Sequence, residues 1–267
     1  MAAFHILRPS AGLAPILLSV PHCGVEFPPE LVNQFDQELI TKPDDTDWLV
    51  HRLYDFAPSI GITLVHARYS RWVVDLNRDP NGQPLYSDGR IITGVCPTTT
   101  FLGQPLYRDK RSAVDENEIN RRLDAYFKPY HDGLSREISS LKERFGKVLL
   151  WDCHSIRQIV STIQADKFPD LILGNADEKS ASQELIQTAL SGLGSGKYKL
   201  NHNHPFKGGY ITRHFGEPST GVHALQLEMT KVNYMNDDET LYDESRAAEM
   251  AGLLKGVFHR LLDILSK

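Results

Sequence analysis

The sequence predicts an α/β fold in which a largely parallel sheet is covered on both faces by helices. The main observation is that short apolar runs, typical of buried strands, alternate along the chain with longer amphipathic helical patterns. A second observation is that no shift in composition divides the 267 residues. We therefore expect a single domain over residues 1–267.

The predicted strands are apolar runs that stop at turn-forming or polar residues. The first is Ile16–Val20, which is ended by Pro21 and Gly24. In the last run, "HALQLEMT", apolar and polar residues alternate, which places Gln226 and Glu228 on one face of the strand. The remaining predicted strands are "GITLV", "WVVDL", "KVLLWDCH" and "DLILGN".

The clearest helix begins after Asp115, which forms a capping-box-like start with Glu118. Its apolar residues recur every three or four positions up to Gly146, and Pro129 predicts a kink or break inside it. Further helices are predicted in "DDTDWLVHRLYDFA" and "SASQELIQTALSGL", and from about residue 243 to 265. The segment 79–114 is rich in Gly, Pro and Thr, which predicts a long irregular loop; whether it closes over a site is left open.

Composition argues against several classes of partner. The net charge of −5 disfavours nucleic acid or an anionic membrane as the main partner. No apolar run approaches the ~20 residues that span a bilayer, and the first residues lack the features of a secretory signal. Three cysteines, an odd number without metal-type spacing, predict reduced thiols in a cytoplasmic protein.

Polar residues that could carry chemistry stand at the ends of predicted strands. In an open α/β sheet, ligands bind outside the carboxyl ends of the strands, so these side chains are expected to converge. They are His22 after the first strand, Asn77 and Arg78 after "WVVDL", Asp152 and His154 in "VLLWDCH", and Glu228 in "HALQLEM".

Each of these residues also has an ordinary structural interpretation. A lone histidine such as His22 at a strand–turn junction is more often hydrogen-bonded than a ligand. Acids such as Asp44, Asp45 and Asp47 stabilise the start of a helix without binding anything. Glu228 is harder to explain in this way, because a buried glutamate needs a partner or a function.

Taken together, two histidines, a carboxylate and a separate glutamate describe a catalytic zinc site. The metal in such a site acidifies a water molecule and polarises a carbonyl, and the glutamate moves the proton to the leaving nitrogen. Asp152, two residues before His154, could orient that imidazole. No dense HExxH-type motif is present.

Arg68, Arg71 and Arg78 place three guanidinium groups within eleven residues. They could be surface charges. Clustered with Asn77 at a strand end, they would suit a substrate that bears a carboxylate, because arginine binds a carboxylate through two parallel hydrogen bonds.

Several segments, from about residue 17 to 265, jointly resemble the N-formylglutamate amidohydrolase family. They are "SVPHCG", "DDTDW", "ARYSRWVVDLNR", "CPTTTF", "LLWDCHSIR", "PFKGGYITRHFG" and "HALQLEM". The resemblance implies a three-layer α/β/α fold with a mostly parallel mixed sheet, like that of zinc carboxypeptidases and aspartoacylase-like deacylases. It also implies zinc-dependent hydrolysis of N-formyl-L-glutamate to formate and glutamate, a step of histidine degradation.

The resemblance implies that His22 and His154 are the first and last zinc ligands. The related carboxypeptidases have an acidic ligand three residues after the first histidine, where this chain has Val25. The family resemblance of "TDW" favours Asp47 as the replacement. The alternatives for this ligand are Asp45 and Glu26.

The resemblance further implies that Glu228 is the general acid/base and that Asn77 and Arg78 hold a substrate carboxylate. Arg71 would polarise the scissile carbonyl, and Arg213 could reach the second carboxylate. A dianionic substrate matches a site with several arginines and a divalent cation, even in an acidic chain.

Two alternatives stay open at this stage. One is a related zinc deacylase or carboxypeptidase acting on another N-acyl amino acid, and the other is a non-catalytic member of the fold. The sequence leaves the native metal and the oligomeric state undecided.

Overall fold

The computed structural model describes residues 2–10, 12–85, 93–109 and 114–266, in which strands and helices alternate. In chain order the elements are β1 (Phe4–Leu7), β2 (Ile16–Val20), α1 (Val50–Leu53), β3 (Thr63–Ala67), α2 (Glu116–Arg122), α3 (Lys128–Phe145), β4 (Val148–Ile156), β5 (Leu171–Gly174), α4 (Gln183–Leu193), β6 (Leu200–His202), α5 (Tyr210–Phe215), β7 (Val222–Thr230) and α6 (Glu244–Leu265).

The strands form one 7-stranded mixed sheet in the order β1-β3-β2-β4-β7-β5-β6. Its centre, β3-β2-β4-β7, is parallel, whereas β1 pairs antiparallel with β3, and β5 antiparallel with β7. The predicted α/β class with a mostly parallel mixed sheet is therefore confirmed. The sequence analysis missed β1 and β6, two short edge strands that are not fully buried and so lack a continuous apolar pattern.

Helices cover both faces of the sheet, which gives three layers. Leu149, Trp151 and Cys153 of β4 belong to an apolar cluster formed with α1, α4 and α6. Val148 and Leu150, on the opposite face of the same strand, belong to a second cluster that includes α3 and Ile211 of α5.

The long helix predicted after Asp115 is present but interrupted. The Asp115 side chain accepts a hydrogen bond from the backbone N–H of Glu118, as the capping pattern predicts. A π-helical turn, Leu123–Phe127, separates α2 from α3, and Pro129, which has no N–H to donate to the preceding turn, follows it directly in the first turn of α3. Gly146 ends α3 at φ 78°, a left-handed conformation that glycine adopts without strain.

One predicted strand is wrong, and one predicted helix is shorter than the sequence predicts. "WVVDL", residues 72–76, is buried but forms turns and irregular backbone instead of a strand. Burial of this loop between the sheet and the helical layer explains its apolar composition, which cannot by itself distinguish a strand from a buried loop. The helix predicted in "DDTDWLVHRLYDFA" shrinks to Val50–Leu53; its N-cap is Leu49 and carries no side-chain cap, so the preceding acids do not serve this helix start.

The remaining expectations concern the long loop, the thiols and membranes. In the described parts of 79–114, the chain contains isolated bridges but no helix or strand, while residues 86–92 and 110–113 lie outside the described residues. The three cysteines are buried and form no disulfide. Among the described helices, none has both the length and the apolar character required to cross a membrane.

Candidate metal centre and active site

The site lies where one face of the central strands changes from apolar to polar. On β4 this face carries Val148 and Leu150 under the helices, and then Asp152 and His154. Strand β7 repeats the change, because Val222 and Ala224 are followed by Gln226 and Glu228. The polar halves are at the carboxyl ends of parallel strands, where ligands bind in open α/β sheets.

His22, Asp47 and His154 form a buried cluster whose potential ligand atoms all lie within 4.8 Å of one another. Asp47 Oδ2 is 3.1 Å from His154 Nδ1 and 3.8 Å from His22 Nδ1. The backbone N–H of Asp47 also donates to the carbonyl oxygen of His22 at 3.0 Å, which fixes the two segments against each other. The structure thus brings together the three residues that the sequence analysis selected.

The outer nitrogen of each histidine contacts a further carboxylate. His22 Nε2 is 2.7 Å from Asp75 Oδ1, and His154 Nε2 is 2.9 Å from Asp152 Oδ2. An imidazole that donates through Nε2 presents the lone pair of Nδ1 to a metal. Both Nδ1 atoms therefore point to the same place, beside Asp47.

The pKa shifts of the two histidines have different causes. Burial lowers the pKa of His22 to about 4, and Arg71 acts in the same direction. Burial alone would also lower the pKa of His154, but the carboxylates of Asp152 and Asp47 raise it well above its ordinary value. Two imidazoles and one carboxylate, buried and oriented by outer carboxylates, are a donor set that fits a zinc ion.

Glu228 stands beside the cluster on the neighbouring strand. It is in register with His154 across the β4–β7 pair and with Ile172 on the other side. Burial raises its pKa to about 8; His154 lowers that pKa, and Asp47 raises it. A carboxyl group with a pKa near neutrality can both accept and release a proton at pH 7.

Two arginines line the same cavity and share one buried carboxylate. Arg71 Nη2 is 2.6 Å from Asp75 Oδ2, and Arg78 Nη1 is 3.7 Å from the same oxygen. Although burial opposes ionisation, these two guanidinium groups hold the pKa of Asp75 well below its usual range. The guanidinium of Arg71 also lies 4.7 Å from the centre of the Phe101 ring.

Asn77 lines the cavity, and both the nitrogen and the oxygen of its side-chain amide contact other protein groups. Its Nδ2 is 3.3 Å from Asp152 Oδ2 and 3.0 Å from His154 Nε2. Its Oδ1 accepts a hydrogen bond of 2.8 Å from the backbone N–H of Ile211, in α5.

The cavity contains about 720 Å³ of empty space, including its mouth. The metal cluster, Glu228 and the two arginines form its polar side. Its apolar lining residues are Leu85, Phe101, Ile156, Ile163 and Phe206.

Other predicted site residues lie elsewhere. Arg68 donates from Nε to Glu26 Oε2 at 2.8 Å and is not among the residues that line the cavity. Arg213 donates to the carbonyl of Gly208 and lines a different surface depression. The alternative ligand Asp45 instead accepts a hydrogen bond from the indole of Trp72 at 2.8 Å.

Sequence reasoning missed Asp75 and gave Gln226 no role. Asp75 is fully buried, and Gln226 accepts a hydrogen bond of 2.7 Å from the backbone N–H of Gly209. An acid inside the apolar run "WVVDL" was the available signal, because a buried carboxylate requires partners.

Comparison with known proteins identifies the family of the chain. The N-formylglutamate amidohydrolase family profile matches residues 14–235. The chain is 39% identical over 254 residues to an N-formylglutamate deformylase of Pseudomonas putida, with 94% of this chain and 93% of the relative covered. A second N-formylglutamate deformylase, from Pseudomonas aeruginosa, is 37% identical over 263 residues, covering 98% of this chain and 96% of the relative.

The chain belongs to the N-formylglutamate amidohydrolase family. Solved structures support the fold of this family member. An N-formylglutamate amidohydrolase from Ralstonia eutropha JMP134 superposes with a TM-score of 0.78 at 24% identity, covering 99% of this chain and 97% of that chain. A protein from Agrobacterium tumefaciens gives a TM-score of 0.74 at 20% identity, covering 100% and 97%.

Proposed function

We propose that this protein hydrolyses the formamide bond of N-formyl-L-glutamate to give formate and L-glutamate, using a zinc ion held by His22, Asp47 and His154. The observation that carries the proposal is the buried cluster of these three residues with Glu228 in register beside it. The names of the two curated relatives support the substrate.

The chemistry divides between the metal and the protein. Zinc, when bound, supplies a Lewis acid that acidifies water and polarises a carbonyl group. Glu228 accepts a proton from the attacking water and delivers it to the departing nitrogen of glutamate. Its pKa of about 8 would fall when a dication binds nearby, which favours the carboxylate form needed for the first transfer.

The two arginines that line the cavity would interact with negative charge on the substrate. Arg78, whose side chain is the more exposed of the two, would bind a substrate carboxylate. Arg71 lies deeper, against Asp75, and would stabilise negative charge that develops on the formyl oxygen. We leave Arg68 and Arg213 out of this mechanism, because neither lines the described cavity.

A panel of amides tests the choice of substrate. Purified protein loaded with zinc is assayed with N-formyl-L-glutamate, N-acetyl-L-glutamate, N-formyl-L-leucine and a dipeptide ending in glutamate. We expect kcat/KM to be highest for N-formyl-L-glutamate by roughly 10–100-fold, since binding a carboxylate with a charged donor contributes roughly 1.5–3 kcal/mol and the formyl group is the smallest acyl group.

The arginine is tested with the same panel. Arg78→Gln should raise KM for N-formyl-L-glutamate and reduce its advantage over N-formyl-L-leucine. Preference for the acetylated or peptide substrate would contradict deformylation and support a related deacylase or carboxypeptidase. Hydrolysis of none of them by zinc-loaded protein would contradict an enzymatic role of this kind.

A further inference from the structure

The side-chain amide of Asn77 connects two parts of the site. On one side it meets the Asp152–His154 pair, and on the other it holds the backbone of Ile211. We propose that Asn77 is a positioning residue that holds Asp152, and through it His154, against the segment 208–211. This inference rests on the proposed metal site.

The hydrogen-bonding capacity of the Asn77 amide fits this role. When His154 binds a metal through Nδ1, its Nε2 carries the proton and donates to Asp152 Oδ2. Asn77 Nδ2 then has no acceptor on that imidazole, and its bond is to the same Asp152 oxygen at 3.3 Å. The carbonyl end of Asn77 is an acceptor, so it repels a carboxylate and suits the N–H of Ile211.

Asp152 makes its contacts with His154 and Asn77 through one oxygen, Oδ2. This carboxylate is fully buried, and its Oδ1 has no hydrogen-bond partner among the described residues. Its hydrogen bonding therefore depends on the contacts of Oδ2 with His154 and Asn77. Removing one of two donors from a buried carboxylate is costly, and the orientation of His154 would loosen with it.

The backbone at Gly209 packs closely against the Asn77 amide. A Cβ atom built on Gly209 would lie 2.3 Å from Asn77 Nδ2, so only glycine lets the backbone approach the amide this closely. The same backbone is held a second time, because Gly209 N–H donates to Gln226 Oε1. Segment 208–211 is thus clamped by two amide side chains, of which Asn77 is also in contact with Asp152.

This difference between the two amides provides a matched experiment. Asn77→Leu and Gln226→Leu each remove one hydrogen bond to segment 208–211, but only Asn77→Leu removes a donor from Asp152. The zinc dissociation constant is measured by competition with a chelator, without substrate, and kcat and KM are then measured with N-formyl-L-glutamate. Thermal unfolding of each apo-protein establishes that it is folded.

We expect Asn77→Leu to weaken zinc binding by roughly 10–100-fold and to lower kcat, with KM changed less than threefold. Gln226→Leu should leave the zinc dissociation constant within about threefold of wild type. If Asn77→Leu does not fold, Asn77→Ala, which adds no bulk against Gly209, tests the same donor.

Wild-type zinc affinity in Asn77→Leu combined with a tenfold higher KM would overturn the inference and show that Asn77 binds the substrate. Equal losses of zinc affinity in both variants would also overturn it, since the role would then be only to hold the segment. Wild-type protein that binds no zinc would refute the metal site itself. Failure to hydrolyse N-formyl-L-glutamate, with the zinc results as expected, would refute only the proposed substrate.

Discussion

Strands β4 and β7 have two faces that differ in kind. On one face, Leu149, Trp151 and Cys153 of β4 adjoin Leu225 and Leu227 of β7 in an uninterrupted apolar cluster with α4 and α6. On the other face, the apolar residues stop halfway, and acids, histidine and glutamine take their place. The apolar face therefore keeps the two strands rigid, and the polar face carries buried polar groups that this rigidity holds in position.

This comparison assigns a separate effect to each face. A change on the polar face should alter metal binding or turnover while the protein stays folded. A change on the apolar face should reduce the free energy of unfolding and leave the chemistry of the folded protein intact. Adjacent residues on a single strand allow the two effects to be separated, because their side chains point to opposite faces.

The largest effect is expected for His154→Ala. This variant should retain less than a tenth of a zinc ion per chain and lose at least about a thousandfold in formate release, because the metal supplies several kcal/mol of stabilisation to the transition state. Zinc content and initial rates are the measurements. The control is Cys153→Ala, one residue away in the apolar cluster, which should keep both and lose only about 1 kcal/mol of stability.

Glu228→Gln should lower kcat by about 10²–10⁴-fold while zinc content stays at the wild-type level, since the variant keeps the shape of the side chain and removes only its proton transfer. Steady-state kinetics on protein of measured zinc content checks this. A near-normal kcat would remove Glu228 from the mechanism, and loss of zinc would mean that this residue acts in metal binding instead.

Leu227→Ala, next to Glu228 but on the apolar face, should destabilise the protein by about 2–5 kcal/mol through a cavity in the core. Urea unfolding at 25 °C measures this loss. Below the unfolding transition, kcat for the folded fraction should remain within about threefold of wild type. A much larger fall in kcat would show that the two faces are not separable.

A smaller effect is expected from His131, which is buried in the helical layer on the polar face. Its Nε2 is 2.9 Å from the carbonyl oxygen of Leu76, and burial lowers its pKa to about 4. Because this is below the unfolded value of about 6.5, its contribution to stability is present above about pH 6.5 and is lost as pH falls towards 4.

The free energy of unfolding of wild type, minus that of His131→Phe, should therefore fall by about 2 kcal/mol between pH 7.5 and pH 5. Phenylalanine preserves the stacking on Phe127 and removes the titrating group. Urea unfolding of both proteins at the two pH values checks this prediction. A difference that does not change with pH would mean that folding leaves the pKa of His131 unchanged.

The two faces also show what can be read from sequence. His22, His154 and Glu228 could be found because polar residues that interrupt buried strands stand out in the pattern. Asp47 required a resemblance, since its approach to His154 joins segments separated by more than a hundred residues. Hydrophobic pattern alone carries no information on such a contact.

The sequence did not predict where individual arginine side chains point, or that one apolar run forms a buried loop instead of a strand. Arg68 and Arg71 are three residues apart, yet one pairs with Glu26 outside the cavity and the other with Asp75 inside it. The segment around Asp75 is as apolar as a strand but lies in turns, because tertiary packing, not strand pairing, buries it. Charge spacing and apolar content do not specify either outcome.

The central claim is that the polar face forms a metal-dependent deformylase site. Formate release from N-formyl-L-glutamate, measured on the purified protein as isolated, after chelation and after zinc is returned, tests it most directly. The account predicts activity that disappears with the chelator and returns with one equivalent of zinc. Activity that survives in protein shown to be free of metal, or no formate from zinc-loaded folded protein, would contradict it.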